Sequence, residues 1–184
     1  LVDRELYVGI DISVESVDHL NTVYSLYANM KAVVADVTDP CFPELLPYDF
    51  DTAISVNVFE HLEDDLSTLH NVRAVMSSGK IVLVVPAYDW LYGSMDRSIG
   101  HYRRYTKKSM AALLAAAGLN CIKLKYLNSL GALGWFVNGC LLRQTVPPFG
   151  QLKFINILVP FVKRFEQSIN IPFGISLLSV AQVE

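Results

Sequence analysis

Residues 80–87, KIVLVVPA, constrain this 184-residue chain more than any other stretch. Apolar side chains follow one another there without the alternation of a half-exposed strand. A strand of that kind is buried on both faces, as in a parallel sheet covered by helices on either side. Shorter segments before it tell the same story. LYVGIDI (6–12) is a short apolar run ending in a carboxylate. Ser13 then offers an N-cap to a helix with Val14, Val17, Leu20, Tyr24 and Tyr27 at helical spacing. KAVVADV (31–37) repeats the strand-to-acid pattern, and DTAISVNV (51–58) is a third strand. A helix carrying Leu62, Leu66, Leu69 and Met76 follows, with Glu63, Asp64 and Asp65 expected in its first turn, where acids suit the helix dipole.

Beyond the fourth strand, residues 87–105 read as a polar, aromatic loop. Thr106 caps a helix with Met110, Leu113, Leu114 and Ala117 inward and Gly118 as its terminator. In residues 121–127, Ile122, Leu124 and Tyr126 alternate with Lys123 and Lys125, the pattern of a one-sided strand near a sheet edge. Two apolar segments (130–143 and 151–166) separated by Pro147-Pro148 lead to a last strand, ISLLSVAQV (175–183). The expected fold is α/β, a doubly wound and mostly parallel sheet in one domain spanning 1–184, with a helical insertion at 129–170.

Composition narrows the function. With 52% apolar and 18% charged residues the chain has material for a core, which excludes a disordered protein. No run of roughly 18 uncharged apolar residues is present to form a membrane-spanning helix. Three cysteines (Cys41, Cys121, Cys140) without CxxC spacing argue against a disulfide framework and a zinc cluster, and favour a reducing, cytoplasmic setting. The net charge of −3 hides an imbalance: residues 1–70 hold fourteen acidic and two basic residues, and the rest hold four and thirteen. The acidic half makes nucleic acid a poor partner. The basic, more apolar half suits an anionic or lipid-linked substrate or a membrane surface, or is an ordinary dipolar surface.

In an open parallel sheet, ligands bind beyond the carboxyl ends of the strands. Asp11, Asp36, Asn57 and Pro86-Ala87-Tyr88 stand at those ends. A carboxylate there can accept both hydroxyls of a ribose, although either acid alone is equally a turn residue. The order GIDIS (9–13), VVADV (33–37), FDTAISVNVFEHLEDD (50–65) and GKIVLVVPA (79–87) resembles class I S-adenosylmethionine-dependent methyltransferases. WLYGSMDRSIGHYRRYTKKSM (90–110) and PFGISLLSVA (172–181) resemble a bacterial branch often linked to glycan or cell-envelope genes. The resemblance implies a Rossmann-like methyltransferase fold with an antiparallel final strand and S-adenosyl-L-methionine as cofactor. It assigns the ribose to Asp11, the adenine to Ile12, Asp36 and Val37, and the methionine portion to Asn57. The glycine-rich loop and first strand typical of these enzymes precede the ribose acid by about 20 residues. Asp11 lies too early for them, so an N-terminal strand is expected to be missing from this sequence.

Methyl transfer from a sulfonium is an in-line displacement, and a base is needed only if the acceptor must lose a proton. His61, in the Glu60-His61 pair, and His101 are the candidate bases, since imidazole titrates near neutrality. His61 also reads as a helix-start residue that positions its loop. Tyr88, Tyr102, Arg103 and Arg104 are candidates for the acceptor, because guanidinium forks suit phosphate or carboxylate and tyrosines suit rings. A solvated basic loop is the rival reading. No metal-ligand spacing stands out. The expected substrate is a small or a lipid- or glycan-linked molecule, and Trp135, Phe136, Phe149, Phe154, Phe161 and Phe165 of the insertion would form a lid, a peripheral membrane contact, a homodimer face or simply core. The alternatives are a non-catalytic interaction domain and an NAD(P)-dependent oxidoreductase, in which a strand-terminal acid also occurs.

Overall fold

The computed structural model describes residues 4–45, 48–145 and 172–184. It comprises two compact units, Leu1–Pro47 and Tyr48–Glu184. In the first unit, strand β1 (Tyr7–Asp11) leads into helix α1 (Val14–Val23) and strand β2 (Met30–Val34). The Ser13 hydroxyl caps α1 by accepting from the Ser16 N–H at 3.2 Å. The helix stops at Val23, so Tyr24 and Tyr27 fall in the turns beyond it. β1 and β2 pair in parallel with Tyr7 opposite Met30 and Asp11 opposite Val34. A single turn, α2 (Phe42–Leu45), follows, with Phe42 buried.

The second unit is built on a four-stranded sheet. Strand β3 (Thr52–Val56) is followed by a 3₁₀ turn (Phe59–His61), helix α3 (Asp65–Ala74) and strand β4 (Gly79–Pro86). Only Asp65 of the expected acidic trio lies in the helix; Asp64 is its N-cap, accepting from the Ser67 N–H at 2.9 Å. Gly79 enters β4 at φ 134°, against the Asp51 carbonyl that receives the Lys80 N–H at 2.9 Å. A Cβ at that position would collide with this carbonyl, which is why glycine opens the strand. The 87–105 stretch is more ordered than a loop: it holds a second 3₁₀ turn (Asp89–Leu91) and helix α4 (Ser94–Ser98). Helix α5 (Lys107–Ala116) is capped by Thr106 and ended by Gly118 at φ 69°. Strand β5 (Asn120–Leu127), helix α6 (Ser129–Trp135) and strand β6 (Ser176–Val183) complete the described chain.

The sheet order is β3-β4-β6-β5. β3 and β4 are parallel, and β6 runs antiparallel between β4 and β5, so β5 points the same way as β4. The mostly parallel sheet with an antiparallel last strand is therefore present. Burial in β4 is uneven: Ile81, Leu83 and Val85 are fully buried, whereas Val82 and Val84 are half-buried. Cover on the two faces is thus unequal among the described residues, where the unbroken apolar run suggested equal burial. Ile122, expected inward, is 53% exposed because a bulge between Cys121 and Lys123 takes it out of register. The core of this unit gathers Phe59, Leu69, Ile81, Leu83, Leu114 and Leu177. Of the insertion, α6 and the π-helical turn Phe136–Leu141 that continues it are described. Phe149, Phe154, Phe161 and Phe165 lie outside the described residues.

Candidate functional site

In the first unit, β1 and β2 deliver Asp11 and Asp36 to the same carboxyl rim, with the Ala35 N–H donating to the Asp11 carbonyl at 3.1 Å. Both side chains are exposed. Asp11 Oδ1 accepts from the Ser13 N–H at 2.8 Å. Asp36 Oδ1 accepts from the Thr38 hydroxyl at 2.7 Å and its N–H at 2.8 Å, which holds the carboxyl below its ordinary pKa. Among the described residues neither Oδ2 has a hydrogen-bond partner, so each acid keeps one oxygen for a ligand donor. Ile12, 71% exposed, presents an apolar surface after Asp11, and Val37 is half-buried.

In the second unit, the strand ends are conformationally unusual. Asn57, just past β3, has φ 53°, and Tyr88, just past β4, has φ 63°. Side chains other than glycine occupy this region at a cost of about 1–3 kcal/mol, usually where the surroundings impose it. Here the imposition is visible: the Asn57 N–H donates to the Val84 carbonyl at 2.8 Å and the Tyr88 N–H to the Tyr105 carbonyl at 2.8 Å. Tyr88 stacks on Tyr126 with ring centroids 4.5 Å apart, leans on Trp90 at 5.5 Å, and donates its hydroxyl to the Pro172 carbonyl at 2.7 Å. Burial, with Tyr126 alongside, pushes its phenol pKa upward. Trp90 meets Phe136 edge-on at 5.8 Å, so the rings form a continuous aromatic ledge.

A polar network lies between α4 and the turn after β3. Its centre is Asp96, fully buried on α4. Its Oδ1 accepts from Arg104 Nε at 2.7 Å and pairs with His101 Nδ1 at 2.8 Å. Its Oδ2 accepts from the Gly93 N–H at 2.9 Å and Trp135 Nε1 at 3.2 Å. Burial acts to raise the Asp96 carboxyl, but these donors, Arg104 foremost, outweigh it and hold the group below its ordinary value. An ionised carboxylate can only accept, so His101 donates from Nδ1, and the neutral ring exposes the Nε2 lone pair. Burial lowers the His101 pKa against the opposing pull of Asp96. That lone pair faces Glu60 Oε1 at 3.8 Å. Glu60 is 1% exposed, its pKa raised by burial, and neither carboxylate oxygen has a hydrogen-bond partner among the described residues. His61, exposed, meets the His101 ring edge-on at 4.7 Å. Glu60, His61 and His101 each bring a ligand-type atom within 4.8 Å of the others, a convergence that sequence spacing did not reveal.

The two arginines expected to face an acceptor are engaged inside the protein. Arg104, 3% exposed, pairs with Asp96, donates from Nη1 to the Ala87 carbonyl at 3.1 Å and lies over the Trp135 ring at 4.8 Å. Arg103 pairs with Asp65 at 3.0 Å and donates to the Glu63 carbonyl at 2.5 Å, fastening the loop to the start of α3. Tyr102 is 56% exposed and anchored by its N–H to the Glu60 carbonyl at 2.7 Å. Sequence reasoning missed Asp96 and Glu60's isolation. The one available hint was an acid five residues before His101, a signal shared by many loops.

A family model described as a methyltransferase domain matches residues 4–124. No curated protein matches the sequence. Among solved structures, the chain is similar to the YcgJ protein of Bacillus subtilis, at 15% identity over 98% of this chain and 82% of that one, with a TM-score of 0.60. It is also similar to an S-adenosylmethionine-dependent methyltransferase from Mesorhizobium loti, at 13% identity over 97% and 80%, TM-score 0.62. A third is 1,6-didemethyltoxoflavin-N1-methyltransferase from Burkholderia thailandensis, solved with bound 1,6-didemethyltoxoflavin and S-adenosylhomocysteine, at 14% identity over 96% and 60%, TM-score 0.53. These likenesses concern the fold, and the family match runs from before β1 into β5: the chain belongs to the methyltransferase-domain family, with the architecture of class I S-adenosylmethionine-dependent methyltransferases.

Proposed function

We propose that the chain transfers the methyl group of S-adenosylmethionine to a ring-bearing small molecule, free or carried on a lipid or glycan, that gives up a proton in the reaction. The observation that carries the cofactor half is the pair Asp11 and Asp36 on adjacent parallel strand ends, each with one carboxylate oxygen open to a ligand. Two such acceptors suit ribose hydroxyls and an adenine amino group, and exposed Ile12 suits the base. The residues therefore fit the nucleoside. The bound cofactor supplies an activated methyl group, and the protein's task is to align the acceptor and exclude water.

For the acceptor half, the ledge of Tyr88, Trp90 and Phe136 suits stacking on a ring. The proton-handling group is the cluster of Glu60, His61 and His101, in which Asp96 holds the His101 tautomer with Nε2 presented. Arg103 and Arg104 hold the loops that carry these groups. Thermal melting with S-adenosylhomocysteine tests the cofactor half: the nucleoside is expected to raise Tm by several degrees, and NAD to leave it unchanged. Asp11→Ala is expected to weaken nucleoside binding at least tenfold without altering the unliganded melt. Equal binding by the variant, or stabilisation by NAD alone, would overturn the assignment.

A further inference from the structure

We propose that Glu60, His61 and His101 bind a divalent transition-metal cation. Glu60 supplies the first reason. A carboxylate that is 1% exposed, with neither oxygen hydrogen-bonded among the described residues, is a group whose partner is something other than those side chains. The second reason is its distance from His101. Glu60 Oε1 and His101 Nε2 are 3.8 Å apart, too far for a hydrogen bond. Zinc-type cations bind nitrogen and oxygen at about 2.0–2.2 Å, so two ligand atoms on one cation stand roughly 3.4 Å apart at the tetrahedral angle and further as the angle opens.

The third reason is orientation. Asp96 accepts from His101 Nδ1 at 2.8 Å and is itself fixed by Arg104, Gly93 and Trp135. A carboxylate behind the distal nitrogen is the arrangement that aims a metal-binding imidazole. Here it turns a lone pair toward a second acceptor, and the group that both require is an electrophile between them. A shared proton would satisfy only that pair at a shorter distance. A cation also accounts for His61, whose ring meets His101 at 4.7 Å from the exposed side. Two imidazoles and one carboxylate favour zinc, cobalt, iron or manganese over magnesium, and three protein ligands leave positions open to solvent and substrate.

This deepens the reading above and rests on it for its chemical purpose: with the cation bound, His101 Nε2 and Glu60 serve as its ligands rather than as free bases, and an acceptor hydroxyl taken as a further ligand would lose its proton to solvent more readily. The binding test needs neither cofactor nor acceptor. Titration of the chain with cobalt(II) is expected to give a saturable 1:1 visible spectrum that zinc(II) displaces. His61→Ala, which alters an exposed side chain, and Glu60→Gln should each weaken cobalt binding at least tenfold. His70→Ala, at an exposed position outside the cluster, should leave it unchanged. No saturable spectrum, or one indifferent to both cluster substitutions, overturns the proposal. Binding of S-adenosylhomocysteine is measured on the same samples. Its loss with cobalt binding intact counts against methyl transfer alone, and the reverse result counts against the cation site alone.

Discussion

Asp96 and Glu60 are both buried carboxylates, and their surroundings are opposite. Asp96 receives Arg104, His101, Trp135 and the Gly93 N–H, whereas both oxygens of Glu60 lack a hydrogen-bond partner among the described residues. Asp96→Asn replaces the charge that the buried Arg104 faces, and breaking a buried pair on one side typically costs about 3–5 kcal/mol. Urea unfolding should register a loss of that order. Arg103→Ala removes a half-exposed pair with Asp65 and should cost below about 1 kcal/mol in the same assay. The two adjacent arginines look alike in the sequence. Their burial separates them.

Among the elements, α3 and α5 show how much capping and periodicity decide locally. Asp64 holds the Ser67 hydroxyl at 2.6 Å and its N–H at 2.9 Å, and these bonds lower its pKa. A carboxyl depressed on folding contributes stability that is fully present above its unfolded value of about 3.9. That contribution is lost as pH falls through the folded value. Thermal melts of Asp64→Asn and the unaltered chain should therefore differ most near neutrality and converge toward pH 2. On α5, Leu114 is fully buried, and Leu114→Ala should destabilise the unit by about 2–5 kcal/mol in urea unfolding.

At the scale of the molecule, the second unit's sheet depends on its last strand. β6 pairs with both β4 and β5, matching eight residues of β4 from Gly79–Val183 to Pro86–Ser176. Leu177, Ser179, Ala181 and Val183 are its buried face. Removing residues 176–184 would leave two ladders unpaired and withdraw that face from the core. The shortened chain is expected to lose near-UV circular dichroism and to bind a hydrophobic dye. A native spectrum would show that β4 and β5 can be held without their shared neighbour.

The residues that repeat at strand or helix spacing were enough to locate most elements, because period, caps and terminators act within a few positions of one another. Ser13, Thr106 and Gly118 did so at helix ends, and Asp11, Asp36, Asn57 and Tyr88 followed as strand-end residues. The polar stretch 87–105 concealed α4, since five residues are too few for an apolar stripe to emerge. Nor could sequence spacing bring Glu60 to His101, or bury Arg104 on Asp96 beneath Trp135. Those contacts join segments up to about forty positions apart, and whether a charged side chain is solvated, paired or isolated depends on what the whole fold puts around it.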